Sequence, residues 1–210
     1  MCFHSKQSTD AQQLKKRFKA AFPKEAQHQP SEELNGFKHP YTPVITNAAP
    51  DEIQLLQWGL LPHWAKTRTH QGNTLNAKIE TLSEKPSFRE VIHQRCLVIA
   101  DGFYEWKWLD GKGTKKEKYL ITTADNPIFT MAGLWSTWSD PLTGELRQTY
   151  TILTTEANAL MAEIHNSRKR MPVILSREGE QAWLNGQNAP QIEPHLVAKN
   201  LEDLIQVRLF

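Results

Sequence analysis

Short runs of β-branched and aromatic residues follow one another along this chain without regularly spaced helices between them, and that succession narrows the fold more than any other feature. Leu55 to Leu61, Arg95 to Leu109, Lys118 to Thr123, Ile128 to Trp138, Gln148 to Thr155 and Pro172 to Leu175 read as strands. Strands alternating with helices would predict a doubly wound sheet. Strands in succession predict an α+β fold of antiparallel or mixed sheets. Asp110-Gly111-Lys112-Gly113 is a turn signal inside a hairpin.

Helical signals are few. Over residues 10–22, Leu14, Phe18 and Phe22 recur every four positions while Lys15, Lys16, Arg17 and Lys19 cover the remaining face. Thr9 followed by Gln12 predicts its capping box. Short helices are expected over 86–94, 156–164 and 177–185, the last opening at Ser176. Residues 23–43, rich in Pro, Gln and Glu, are expected as a surface loop.

The length of 210 residues suggests one domain, 1–210. The apolar run Cys96 to Ala100 is too short to cross a bilayer, and the start lacks a basic-then-apolar leader. A cytoplasmic protein with no membrane association is expected. Only two cysteines, in different settings, fit a reducing compartment better than a disulfide framework. The net charge of +2 names no partner, although the first hundred residues carry 13 Lys/Arg against 9 Asp/Glu (13 − 9 = +4) and the remainder 12 against 14 (12 − 14 = −2). No Cys-x-x-Cys, His-Glu-x-x-His, acidic calcium loop or Gly-rich phosphate motif is present, so neither metal nor cofactor is expected.

Cys2 stands out by position. If Met1 is removed, it offers an α-amine with a reference pKa of about 7.7–8.0 beside a thiol near 8.5. An aldehyde can be trapped by both: the amine forms a Schiff base, and the thiolate closes onto the same carbon to give a thiazolidine. Tethering makes the second step intramolecular. A small residue at a loose terminus is the plainer alternative. Cys96, inside an apolar strand, reads as packing. Glu105, flanked by aromatics, is either an outward carboxylate on an alternating strand or a buried acid/base with a raised pKa. His165, ahead of Asn166 to Arg170, is either a helix end or a proton shuttle. Asn76 is either a loop amide or a group that orients substrate. Trp58 and Trp64 are core residues by default, but an exposed one would stack on a base.

These separate signals occur in a familiar order. They are Met1-Cys2, Thr46-Asn47-Ala48-Ala49-Pro50, Trp58 to Trp64, Asn76-Ala77-Lys78-Ile79-Glu80-Thr81, Asp101 to Lys107, and Ile164-His165 through Arg170-Met171-Pro172 to Leu175. Together they resemble the SRAP family, over most of the chain from Cys2 to about Leu184. The resemblance implies a barrel-like core with short flanking helices and a sensor of abasic sites in single-stranded DNA. It implies that Cys2 forms the thiazolidine with the opened sugar, that Glu105 is the acid/base, that His165 shuttles protons or steadies the sugar, and that Asn76 helps position the abasic nucleotide and the N-terminus. Lys78, Arg170, Trp64, His4 and Asn47 would contact DNA. The family commonly begins Met-Cys-Gly-Arg, where this chain has Phe3-His4, so His4 stands in for an arginine. Asn166-Ser167-Arg168-Lys169 lengthens the usual His-x-Arg-Met-Pro, so this loop must bulge to keep Arg170 in the site, or Arg168 takes its role. A Schiff base also acidifies the C2′ proton, which would allow weak lyase activity.

Two rivals use the same residues. An N-terminal-nucleophile hydrolase or peptidase would attack an amide through Cys2. A non-catalytic single-stranded DNA binder would use Trp64, Lys78 and Arg170 alone. A monomer is the default.

Overall fold

The structure, a computed structural model, describes residues 2–187 and 195–202; Met1, on whose removal the thiazolidine chemistry depends, lies outside them. In chain order the described strands are β1 (His4–Gln7), β2 (Ser31–Asn35), β3 (Tyr41–Thr46), β4 (Ala49–Trp58), β5 (Asn76–Lys78), β6 (Arg95–Ala100) and β7 (Gly102–Trp108). They continue with β8 (Lys116–Thr123), β9 (Phe129–Ser139), β10 (Leu146–Glu156), β11 (Arg170–Pro172), β12 (Ile174–Leu175) and β13 (Leu196–Asn200). The helices are short: α1 (Ala11–Phe18), α2 (Ala159–Ile164) and α3 (Arg177–Leu184).

Five strands close on themselves, β4 to β3 to β6 to β9 to β10 and back to β4. Strands cannot alternate direction around an odd ring, so at least one neighbouring pair must be parallel. Here it is β10 with β4, through Thr149–Gln57 and Tyr150–Trp58. This barrel is the expected α+β core, and closure removes the exposed edges that an open sheet would leave. A second sheet of five strands, in the order β13-β8-β7-β1-β2, lies beside it. A shared cluster joins the two, with Phe103 and Ile121 from the second sheet packed among Val44, Leu56, Val98, Met131 and Ile152 of the barrel. β6 is buried along its whole length, its even residues facing this cluster and Leu97 and Ile99 a second one that includes Leu14 of α1. Its apolar run therefore serves two faces, which period-two geometry permits only in a fully covered strand.

Several local expectations are corrected. Residues 23–43 are not a loop throughout: they hold β2 and the start of β3. β2 is a polar edge strand, stabilised by pairing with β1 and not by its own composition. β3 tolerates Pro43 because its ladder with β6 begins one residue later, at Val44. The single run expected from Arg95 to Leu109 is two strands broken at Asp101, whose carboxylate accepts hydrogen bonds from the Ser8 amide (2.8 Å), the Ser8 hydroxyl (2.8 Å) and Thr9 Oγ1 (2.9 Å). Thr9 is thereby occupied, and Asp10 caps α1 by accepting from the Gln13 amide at 2.9 Å. α1 stops at Lys19, which turns left-handed (φ 51°), well before the expected end at residue 22.

No helix forms over 86–94. Three-residue turns replace it, such as Phe88 N to Lys85 O and Val91 N to Phe88 O, and they bury Phe88 and Val91. Ser176 does cap α3, accepting from the Gly179 amide at 3.1 Å. The expected hairpin joins β7 and β8. Gly113 is required there: its φ is +65°, and an added Cβ would lie 2.6 Å from the Trp108 ring.

Candidate active site

β10 is the strand that assembles the site. At Ile152 it pairs with Asn76 of β5 on one edge and with Gly133 of β9 on the other. Two residues on, Thr154 pairs with Lys78 on the β5 side and with Pro172 of β11 on the opposite side. One strand thus fixes the two motifs that carry Asn76 and Arg170.

Cys2 is fully buried, packed with Trp58, Phe103, Tyr150, Ile164 and Met171. The Asn76 amide donates to the Cys2 carbonyl at 2.9 Å, and the Cys2 thiol points to the His4 carbonyl at 3.6 Å. Burial, with the nearby Glu105 charge next in size, pushes the thiol far above its ordinary pKa. The Asn76 side-chain oxygen is buried without a hydrogen-bond partner among the described residues.

Glu105 sits in the middle of β7. Period two places it on the face of Phe103, which is fully buried, and not on the face of Tyr104 and Trp106. It therefore points inward and is only 5 % exposed. Burial pushes its carboxyl up to about 7. His165 caps the C-terminal end of α2, with its Nε2 3.9 Å from Glu105 Oε2. Burial pushes this imidazole down to about 4, so it is neutral at pH 7. Its Nδ1 lies 2.7 Å from the Arg170 carbonyl oxygen. A carbonyl only accepts, so Nδ1 carries the proton and Nε2 presents its lone pair towards Glu105.

The insertion after His165 bulges as the sequence requires. The amides of Arg168 and Lys169 both turn back to the His165 carbonyl (3.3 and 2.8 Å), and Lys169 adopts φ 50°. The bulge returns Arg170 to the histidine. The Arg170 guanidinium forms a fork with Glu80 (Nη1–Oε1 3.0 Å, Nη2–Oε2 2.8 Å) and also donates to the Thr154 carbonyl at 2.6 Å.

The SOS response associated peptidase (SRAP) family model matches residues 1–208. The chain belongs to the SRAP family. It is 44% identical over 146 residues to "Abasic site processing protein YoqW" of Bacillus subtilis (strain 168), covering 69% of this chain and 62% of that protein. It is 31% identical over 175 residues to "Abasic site processing protein HMCES" of Gallus gallus, covering 71% of this chain and 50% of that protein. The SRAP chain thus spans less than two thirds of the length of these curated relatives. A crystal structure of a protein from Bacteroides thetaiotaomicron, 35% identical, superposes with a TM-score of 0.87 over 98% of this chain and 94% of that one. Another, from Bordetella bronchiseptica at 25% identity, gives 0.74 over 95% and 99%.

The other residues named from sequence for this SRAP chain differ in exposure and in partners. Lys78 is exposed two residues beyond Asn76 on β5, on the same side by strand period, with no partner among the described residues. Arg168 is exposed on the bulge, and its charge adds to the downward push on His165. His4 is held by Glu33 at 2.8 Å and meets the Trp106 ring edge-on at 4.8 Å. Trp64 is 41 % exposed, whereas Trp58 is fully buried and donates to the Leu75 carbonyl at 2.9 Å. Asn47 is bound internally, donating to the His93 carbonyl and accepting from the Arg95 amide and Trp135 Nε1.

Sequence alone gives Glu80 no role. Its one signal is its place in the Asn76 to Thr81 motif, and its partner is 90 residues away. Among the described residues no group of His, Cys, Asp and Glu is placed to hold a metal, and no helix is long and apolar enough to cross a membrane.

Proposed function

We propose that this protein captures abasic sites in single-stranded DNA by forming a thiazolidine through Cys2 once Met1 has been removed. The observation that carries the proposal is the Asn76 amide on the Cys2 carbonyl, which fixes the N-terminal residue beside the Glu105–His165 pair.

Each group has a defined task. Glu105, with its carboxyl near 7, exists in both forms at neutral pH. Its acid form protonates the sugar ring oxygen as the ring opens to the C1′ aldehyde, and its carboxylate recovers a proton afterwards. The α-amine of Cys2 adds to C1′ and water leaves, giving the Schiff base. The thiol then adds across the C=N bond and passes its proton to nitrogen. In sum, aldehyde and cysteine give thiazolidine and one water. A thiol kept un-ionised by burial supports this order, with the amine acting first. His165 Nε2 supplies the lone pair through which a proton moves between Glu105 and the sugar. Lys78 and Arg168 contact the flanking phosphates, and Trp64 stacks on a base. Arg170, occupied by Glu80 and Thr154, positions His165 instead. Weak lyase activity would arise from the Schiff base before it closes.

The test is denaturing electrophoresis of protein confirmed by mass spectrometry to begin at Cys2, mixed with single-stranded DNA carrying one abasic site. A shifted band that requires both the lesion and Cys2 is expected. No band, with cleavage of a peptide instead, would favour the hydrolase. Binding that does not survive denaturation would favour the plain binder.

A further inference from the structure

On another part of the molecule a groove of about 870 Å³ opens between α1, the end of β8 with the connection that follows it, and the start of α3. Lys6, Lys16, Arg17, Lys19 and Arg177 line it, and Asp101 is its one acidic residue. We propose that this groove binds the phosphate backbone of an undamaged stretch of nucleic acid, separately from the site at Cys2.

The charges around the groove differ in how far they are already satisfied. Asp101 is shared by Ser8, Thr9 and Lys6, so little of its charge is left to face the groove. Arg17 is paired with Glu180 at 2.7 Å. Lys16 and Lys19 are exposed and have no acidic partner among the described residues. Arg177 is also exposed; its guanidinium donates to the neutral amide oxygen of Asn126, and Glu180, which Arg17 already pairs, is the carboxylate its charge reaches. Basic residues in a last helical turn often only offset the helix dipole. That accounts for part of the charge at Lys16 and at Lys19, the C-cap of α1, but not at all for Arg177, which begins α3.

Thr122 and Gln13 add neutral donors to the same walls, whereas the Thr123 hydroxyl is spent on the Asn126 carbonyl. Cations that lack counter-charges, set in a concave wall beside hydroxyl and amide donors, suit phosphates that carry no sequence information. A concave shape also suits a strand better than the flat surface of a membrane.

The groove and the chemical site are carried by different residues. β1 leads from one towards the other: Lys6 is four residues from Cys2, about 13 Å along an extended strand. The inference takes from the proposed function only that nucleic acid is the partner.

The test uses the full chain with Lys16→Gln and Lys19→Gln together, and Arg177→Gln as an independent variant. Fluorescence anisotropy of a labelled undamaged single-stranded oligonucleotide is followed across a salt series. The double variant should bind roughly tenfold more weakly at low salt, and its slope of log K against log salt should fall by about 0.7 for each lysine lost. Arg177→Gln should act in the same direction. Crosslinking at saturating abasic oligonucleotide should be unchanged.

Unchanged affinity and slope would overturn the proposal. So would lost binding to phosphatidylserine vesicles with DNA binding intact, or lost crosslinking at saturation, which would place these lysines in the chemical site. If the wild-type protein forms no crosslink, the proposed chemistry fails, yet the anisotropy series still decides the groove.

Discussion

The backbone carbonyl of Arg170 holds His165 Nδ1 at 2.7 Å while the Arg170 guanidinium is forked onto Glu80. One residue thus ties the tautomer of a buried histidine to a carboxylate on the far side of β10. Burial raises the Glu80 carboxyl, but the hydrogen bonds and charge of Arg170, with hydrogen bonds from the Glu80 amide and Thr155, together outweigh it and hold the group below its ordinary value. Glu80→Gln keeps the shape and loses the charge. It should slow crosslinking severalfold through a looser His165. Arg170→Ala should cost on the order of 2 kcal/mol in stability, the scale of hydrogen bonds to a charged group, reduced because Glu80 is partly exposed. Urea denaturation measures the stability, and gel time courses the rate.

Glu105 and His165 should give opposite pH dependences of stability. The folded Glu105 carboxyl lies near 7, above its unfolded value, so its contribution is present at low pH and is lost as pH rises towards 7. The folded His165 lies near 4, below its unfolded value, so its contribution is present above about 6.5 and is lost as pH falls through 4. Each spans about 3 kcal/mol, and between pH 4.5 and 6.5 the two offset one another in the wild type. His165→Gln should therefore lose stability from pH 4.5 to 7, and Glu105→Gln should lose it from pH 6.5 to 4. Chemical denaturation across pH checks both. Flat profiles for the two variants would remove the burial argument. Glu105→Gln should also slow crosslinking by roughly 10²-fold or more.

How much of this was legible in the sequence depended on what sets each element. β6, β9 and β10 announce themselves through their own apolar and β-branched residues. β1 and β2, His-Ser-Lys-Gln and Ser-Glu-Glu-Leu-Asn, carry no such signal, because their pairing with β7 and with each other makes them strands. The SRAP motifs locate Cys2, Asn76, Glu105 and His165, and the structure brings these four together. The inward direction of Glu105 could be read from its parity with Phe103, once that residue is known to face the core. The Glu80–Arg170 fork could not be read, because nothing local links residues on opposite sides of β10.

Removing the thiol should separate the two steps of capture. Cys2→Ala, once Met1 has been cleaved from it, keeps an α-amine at the position held by Asn76 but cannot close the ring. It should form no denaturation-resistant adduct by itself and should be trapped by borohydride as the reduced Schiff base. No trapped adduct would count against the amine acting first. Asn76→Ala, which frees the Cys2 carbonyl, should cost about 1 kcal/mol in stability and slow crosslinking about tenfold.

Trp64 and Trp58, six residues apart, should respond oppositely to truncation. Trp58 is fully buried, stacked at 6.3 Å on Tyr150, and its indole nitrogen is bound to the Leu75 carbonyl. Trp58→Ala should open a cavity beside Cys2 and cost about 3–5 kcal/mol, seen as a large loss in thermal stability. Trp64 is 41 % exposed and meets His70 edge-on at 5.3 Å, which leaves a large ring surface to solvent. Trp64→Ala should leave the melting temperature nearly unchanged. If the ring stacks on a base, the variant should weaken single-stranded DNA binding by about 1–3 kcal/mol, roughly 5- to 150-fold. Unaltered DNA affinity in a folded Trp64→Ala protein would take this residue out of the interface and leave recognition to Lys78, Arg168 and the abasic sugar itself.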